Sequence, residues 1–130
     1  MAQKTLAQSV ADGLAGNDDQ LELQAHAALV QGNCVAFDPA TGITAAPAAN
    51  DRLLALAVAE EAVASGERGK FKVSGRVQAL SGAAIASGEL LDVSADLKCD
   101  PLAVQTDGNG SLKALDAAAG ADELVWCKFL

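Results

Sequence analysis

Apolar and polar residues alternate with a period of two in several short stretches of this chain, the pattern of strands with one buried face. Leu21-Glu22-Leu23-Gln24 and Lys70-Phe71-Lys72-Val73 alternate strictly. Residues 33–37 form a short apolar run with Cys34, Val35 and Phe37. Asp38-Pro39-Ala40-Thr41-Gly42 ends it, because proline presets φ and glycine is free to turn. A short strand over 43–46 closes at Pro47. Residues 53–59 would suit a helix on propensity, but they lead into a turn and a clear strand, so a strand is assigned there. Ser65-Gly66-Glu67-Arg68-Gly69 is a turn, and 70–80 reads as one strand in which Gly75 predicts a bulge or sharp bend. After a loop from Gly82, a strand is expected at 89–93. Asp107-Gly108-Asn109-Gly110 is the strongest hairpin signal, joining 102–105 to 111–115. Residues 116–120 are an alanine-rich connection or a single helical turn. The last strand, 123–129, sets Leu124, Trp126 and Lys128 on one face and Val125, Cys127 and Phe129 on the other. Being apolar on both faces, it is expected to be central or to lie in an interface.

Residues 1–20 differ from the rest. They are polar, with apolar residues at Leu6, Val10 and Leu14 on one helical face, and they read as an arm that orders on a partner. The remainder, 21–130, reads as one β-rich domain with an internal repeat. His26-Ala27-Ala28-Leu29-Val30-Gln31-Gly32-Asn33-Cys34-Val35-Ala36-Phe37 aligns without a gap on Gly82-Ala83-Ala84-Ile85-Ala86-Ser87-Gly88-Glu89-Leu90-Leu91-Asp92-Val93. Each copy is followed by a glycine-bearing turn, an alanine-rich link and a strand closing on Phe71 or Phe129. The reading is one supersecondary unit used twice, over about 26–80 and 82–130, with Gly32 and Gly88 supplying positive φ. The fold class expected is mostly β: a small antiparallel barrel or sandwich built from two related units.

The bulk composition adds a constraint. About half of the 130 residues are apolar, but the aromatics are only Phe37, Phe71, Phe129 and Trp126. A core of alanine, valine and leucine buries little area at roughly 25 cal/mol per Å², so support from oligomerisation or docking on a larger body is expected. A formal net charge of −8 disfavours nucleic acid and anionic membranes. No stretch has the length of a membrane span, and residues 1–14 have no apolar core of a secretory signal. Cys34, Cys99 and Cys127 are far apart in sequence and odd in number, and are expected to be reduced, small apolar residues.

Catalytic chemistry finds no constellation. The single histidine, His26, lies in a loop beside alanines. The carboxylate pairs Asp18-Asp19, Glu60-Glu61 and Asp122-Glu123 are adjacent in sequence and so fall on opposite faces of a strand. Asp107 and Asn109 open a calcium-like loop without the later bidentate glutamate. No catalytic residue, cofactor or metal site is expected.

Ala84-Ile85-Ala86-Ser87-Gly88-Glu89-Leu90-Leu91, Asp107-Gly108-Asn109-Gly110-Ser111-Leu112-Lys113-Ala114 and Ala117-Ala118-Ala119-Gly120-Ala121-Asp122-Glu123-Leu124-Val125 resemble the small capsid cement, or head decoration, proteins of tailed bacteriophages. The resemblance covers about 24–130 and rests on the order of turns and strands; the stretch 53–80 departs from it. It implies a structural virion protein on the exterior of a phage head, assembled in the host cytoplasm. Such a protein forms a homotrimer, binds the major capsid protein and reinforces contacts between its subunits. It has no nucleic-acid, membrane or small-molecule partner and performs no reaction. The residues expected to carry that role are Lys4, Leu6, Val10 and Leu14 in a capsid-binding arm, with Phe71, Trp126 and Phe129 in the core or a protomer interface. The competing reading is a non-catalytic carrier or barrel-sandwich binding module, which needs a lysine at a hairpin tip; Lys70 and Lys113 are its candidates.

Overall fold

The computed structural model describes residues 20–47, 55–93, 96–102 and 111–130. These form ten strands and, among the described residues, no helix: β1 (Gln20–Gln24), β2 (Cys34–Phe37), β3 (Thr44–Ala45), β4 (Ala55–Ala59), β5 (Arg68–Lys72), β6 (Arg76–Leu80), β7 (Leu90–Val93), β8 (Cys99–Pro101), β9 (Leu112–Ala114) and β10 (Leu124–Phe129). They make two antiparallel five-stranded sheets, ordered β1-β5-β4-β2-β3 and β6-β10-β9-β7-β8. The second order is the first with every strand advanced by five, so the repeat read from sequence is a repeat of topology.

The correspondence reaches single hydrogen bonds. Leu29 and Val63 exchange backbone hydrogen bonds across an isolated bridge, and Ile85 and Ala118 do the same in the second unit. Asn33 Oδ1 accepts the Val30 N–H at 2.8 Å, and Glu89 Oε1 accepts the Ala86 N–H at 2.6 Å. Between them stand Gly32 (φ 90) and Gly88 (φ 89), each in the left-handed conformation expected of it. Both sheets also curl. A parallel bridge joins Gln24 beside Ile43, and another joins Ser81 beside Cys99, so each first strand meets the opposite edge of its own sheet.

Strand alternation places the core. Leu21, Leu23, Val35, Phe37, Ala57, Ala59 and Phe71 point into the first sheet's interior, with Leu29 and Val63 from its loops. Val77, Ala79, Leu91, Val93, Leu112, Ala114, Val125 and Cys127 fill the second. The second cluster also contains Cys34 and Val58, which stand on the outer face of the first sheet. That is why β2 is buried along its whole length: one face serves its own unit and the other serves its neighbour.

Several sequence-based expectations need correction. The single strand at 70–80 is two strands in different sheets, divided at Val73–Gly75. Gly75 has φ 75, which makes it the sharp bend rather than the bulge. The sheets therefore divide the chain near 73–75, not near 81. β5 begins at Arg68, inside the expected turn. The turn at 107–110 and residues 103–106 before it lie outside the described residues, and so does the hairpin assigned there; what the described residues show is the pairing of β9. Both sides of β9 are taken, by β7 and β10, and the Leu102 N–H donates to the Leu90 carbonyl at 3.0 Å. Residues 116–120 are a connection, with Ala118 bridged to Ile85. Of the arm expected at 1–20, residues 1–19 lie outside the described residues, and Gln20 belongs to the domain as the first residue of β1, opposite Lys72.

Within the repeat, bulk is exchanged between equivalent positions. Gly69 packs directly against Val63 in the first unit, where an added Cβ would collide with the valine side chain. At the matching places the second unit has Val125 and Ala118, both buried. Large faces small in both units, with the roles reversed, as close packing requires. Gly69→Val alone is expected to destabilise by about 1–3 kcal/mol through overpacking. Adding Val63→Ala recreates the second unit's pair and should recover most of that loss; denaturant unfolding of the singles and the double measures the coupling. Gly32 and Gly88 separate strain from crowding. A Cβ at Gly32 would stand 2.6 Å from Leu124 Cδ2 and 2.9 Å from the Leu80 nitrogen, whereas at Gly88 nothing lies within 4 Å. Gly88→Ala should therefore cost only the left-handed strain, about 1–2 kcal/mol, and Gly32→Ala measurably more.

Candidate docking surface and the buried thiols

The outward positions of β6, β10 and β9 form a surface of unusual composition for this chain, while on β7 and β8 the same face carries Asp92 opposite Asp100. Antiparallel register sets Arg76 opposite Lys128 and Lys128 opposite Lys113, a row of three cations across β6, β10 and β9. Leu90 on β7 continues the row beyond Lys113. The next rank pairs Gln78 with Trp126, and the one after pairs Leu80 with Leu124. Leu115 joins this surface through its N–H, which donates to the Trp126 carbonyl at 2.8 Å. Trp126 is 47% exposed, and Leu124 and Leu115 are each 40% exposed. Among the described residues no carboxylate is ion-paired with Arg76, Lys113 or Lys128; the ion pair present is Lys98–Asp122, at 2.7 Å.

Three aromatic residues were expected in the core or a protomer interface. Phe71 is fully buried in the first core. Phe129 is partly buried against the second. Trp126 is not a core residue. Its neighbours Val125 and Cys127 take the inner face of β10, so alternation turns the indole outward. Lys4, Leu6, Val10 and Leu14 lie outside the described residues. Lys70 and Lys113 are not at hairpin tips. Lys70 is within β5 opposite Glu22, and Lys113 is within β9 between Lys128 and Leu90, so the structure removes the basis of the carrier reading.

The side chains weighed for chemistry are held by local structure. The His26 N–H donates to Thr44 Oγ1 at 3.0 Å, and the ring Nδ1 lies 2.7 Å from the same hydroxyl. Glu60 accepts from the Gln20 amide and Glu61 from the Lys70 N–H. Asp122 pairs with Lys98, and Glu123 accepts the Gly120 N–H at 2.7 Å. These carboxylates fasten turns and edges. The Asp107–Asn109 loop is outside the described residues, and among those described no group of histidine, cysteine or acidic residues is arranged to hold a metal ion.

Sequence spacing gave no sign that the cysteines converge. Cys34 on β2, Cys99 on β8 and Cys127 on β10 are all fully buried and free, and they meet in the second core. The Cys127 thiol hydrogen-bonds Cys99 and by itself would favour the Cys99 thiolate. The Cys34 thiol and burial act against it more strongly, leaving Cys99 well above the ordinary thiol range. Cys127 is also pushed up, by its hydrogen bond with Cys99 and by burial. All three thiol hydrogens also reach backbone carbonyls, those of Gly32, Leu80 and Val125.

No protein-family model matches the chain, and no curated protein does. Among solved structures it is similar to the N base of head fiber gp8.5 of bacteriophage phi29. The TM-score is 0.64 and the identity 18%, over 85% of this chain and 92% of that one. At this identity the likeness is one of fold, the two-sheet, all-β build described above.

Thiolate is the reactive form of cysteine, and both burial and the raised pKa values suppress it. The native protein is expected to leave all three thiols unmodified by a thiol-specific chromogenic reagent at mildly alkaline pH, and to react at all three in denaturant. Rapid native labelling of any one would contradict the burial described.

Proposed function

We propose that this chain is a structural virion protein. In this reading it binds the outer surface of a phage head and reinforces contacts between major capsid protein subunits. The observation that carries the proposal is the shared fold with a head fiber base over nearly the whole length of that base. The order of turns and strands in the sequence, which resembles capsid cement proteins, supports the same reading.

The physical case is one of rigidity and surface. Two curled sheets, joined where Cys34 and Val58 of the first enter the core of the second, make a stiff body with no helix among the described residues. The chain is poor in bulky side chains, and its buried set relies on alanine, valine and cysteine as much as on leucine and phenylalanine. A body of this kind gains stability by mass action when a partner binds only its folded form. Bound across two capsid subunits, it would make their separation require its own release. The homotrimer, the arm at 1–20 and the place on the capsid exterior belong to this proposal, as does the absence of a reaction, nucleic-acid, membrane or small-molecule partner.

Mass spectrometry of purified virions should find the chain, and purified protein should sediment with empty shells of the same phage. Shells carrying it should release their DNA at a higher temperature than shells without it. Deleting residues 1–19, which leaves β1 whole, should lower occupancy while leaving the far-ultraviolet spectrum of the β fold unchanged. Failure of the full chain to sediment with shells would defeat the proposal; unchanged occupancy after the deletion would defeat only the arm.

A further inference from the structure

We infer that the outer face of the second sheet, centred on Trp126 and the row Arg76–Lys128–Lys113, is a docking face for a carboxylate-rich protein surface. The inference rests on the shell-binding reading for the identity of that surface, the exterior of the capsid lattice.

Three observations lead there. First, like charges directly opposite each other in a sheet are destabilising, with side-chain origins only about 4.5–5.5 Å apart. Here one lysine faces a cation on each side. Among the described residues no carboxylate is ion-paired to the row, and the carboxylate on the same face beside it, Asp92, stands diagonally from Lys113 rather than opposite it, so no ion pair there relieves the repulsion. Charged residues commonly protect exposed sheet edges, but β9 and β10 are interior strands with both sides paired, so edge protection does not account for Lys113 or Lys128. Second, the chain is strongly acidic, with 17 Asp and Glu against 9 Lys and Arg. Three of those few cations are gathered around its one tryptophan. Tryptophan and arginine are the side chains that most often dominate binding energy, and the adjoining Leu124 and Leu115 extend the apolar centre. Third, the repeat supplies an internal precedent. The corresponding outer face of the first sheet, at Cys34 and Val58, is covered by the second unit. The matching positions of the second sheet are Leu90 and Lys113. A continuing apolar neighbour does not fit a lysine there, whereas an acidic one does.

The same row speaks against self-association through this face. Two copies related by a two-fold axis would set cations against cations, since such an interface presents one patch to itself. A two-fold pair is thereby disfavoured; the occupant we assign is a different protein whose surface brings carboxylates to the row and an apolar site to Trp126, and a head-to-tail contact with another copy of this acidic chain is the alternative outcome of the test below.

Trp126 is the sole tryptophan in a chain without tyrosine, so its emission reports this face directly. The full chain is titrated with empty phage shells while emission and sedimented occupancy are followed. Binding should shift the emission to the blue, and the affinity should fall steeply with salt. The triple variant Arg76→Glu/Lys113→Glu/Lys128→Glu and the variant Trp126→Ala should each weaken binding by about tenfold or more. Lys128→Ala, which relieves the repulsion, should fold at least as stably as the parent yet bind less tightly. A control with the charge reversed elsewhere, Arg68→Glu/Lys70→Glu, should bind within about twofold of the parent. Parental binding by the triple variant, or binding that leaves the emission unshifted, would overturn the inference while the shell reading stands. A blue shift on concentrating the chain alone would overturn it in favour of a second copy. Absence of any shell binding by the parent would remove the shell reading and this inference with it.

Discussion

Cys34 and Val58 belong to one sheet and are buried in the core of the other. This shared packing is the constraint on which the rest of the architecture depends. It holds a chain made of two similar halves as one body, and it explains why the halves are not interchangeable. The first unit encloses its own interior with Phe71 and Leu23. In the second unit the matching positions are Cys127 and Ala79, and the volume they leave is filled from outside by the first unit's strands. Backbone bonds reinforce the junction: the Leu97 carbonyl accepts the Cys34 N–H at 2.8 Å, and the Gly32 carbonyl accepts the Leu80 N–H at 2.8 Å. Leu97 itself has φ 67, a left-handed conformation that a leucine holds only when its surroundings demand it.

The convergence of the three thiols follows from that junction. Cysteine is a small, polarisable apolar side chain, and three of them meet where larger groups would force the units apart. The raised pKa values of Cys99 and Cys127 have the same origin as their packing, because neighbouring thiols and burial disfavour the thiolate there. The junction is thus chemically quiet as well as tightly filled, an arrangement in keeping with a scaffold.

Much of this was legible in the sequence, and the boundary of legibility has a physical cause. Turn chemistry is local, so Asp38–Gly42, the two glycine turns and most strands could be placed from residue types alone. The repeat was legible because glycine at a positive-φ position and the apolar alternation behind it are costly to alter together. Sheet order is not local. Gly75 announces a bend, but nothing near it says that the chain leaves one sheet for another. The Asp-Gly-Asn-Gly signal is local too, and nothing in it says that β9 pairs with β7 and β10. For Trp126 the sequence left the core and a protomer interface open: alternation divides β10 correctly into two faces, but both are apolar, and the structure puts Val125 and Cys127 inside and the indole outside. The cysteines were invisible as a group because the residues that meet are 28 or more positions apart.

What the fold does with its outer faces is the last link from sequence to role. A two-unit protein has two equivalent outer faces, and here one is consumed in joining the units. The other is left to solvent, and its composition is not that of the acidic chain around it. The equivalent positions have diverged from Cys34 and Val58 to Leu90 and Lys113. Such divergence disfavours stacking a third unit as the second stacks on the first, because a buried lysine without a partner carries a desolvation penalty that an apolar neighbour would not repay. Termination alone would be satisfied by any polar residue. Three cations in cross-strand register, without an ion pair among the described residues and beside an exposed tryptophan, go further than that requires, and the docking face proposed above is the use of this excess that the charge pattern favours.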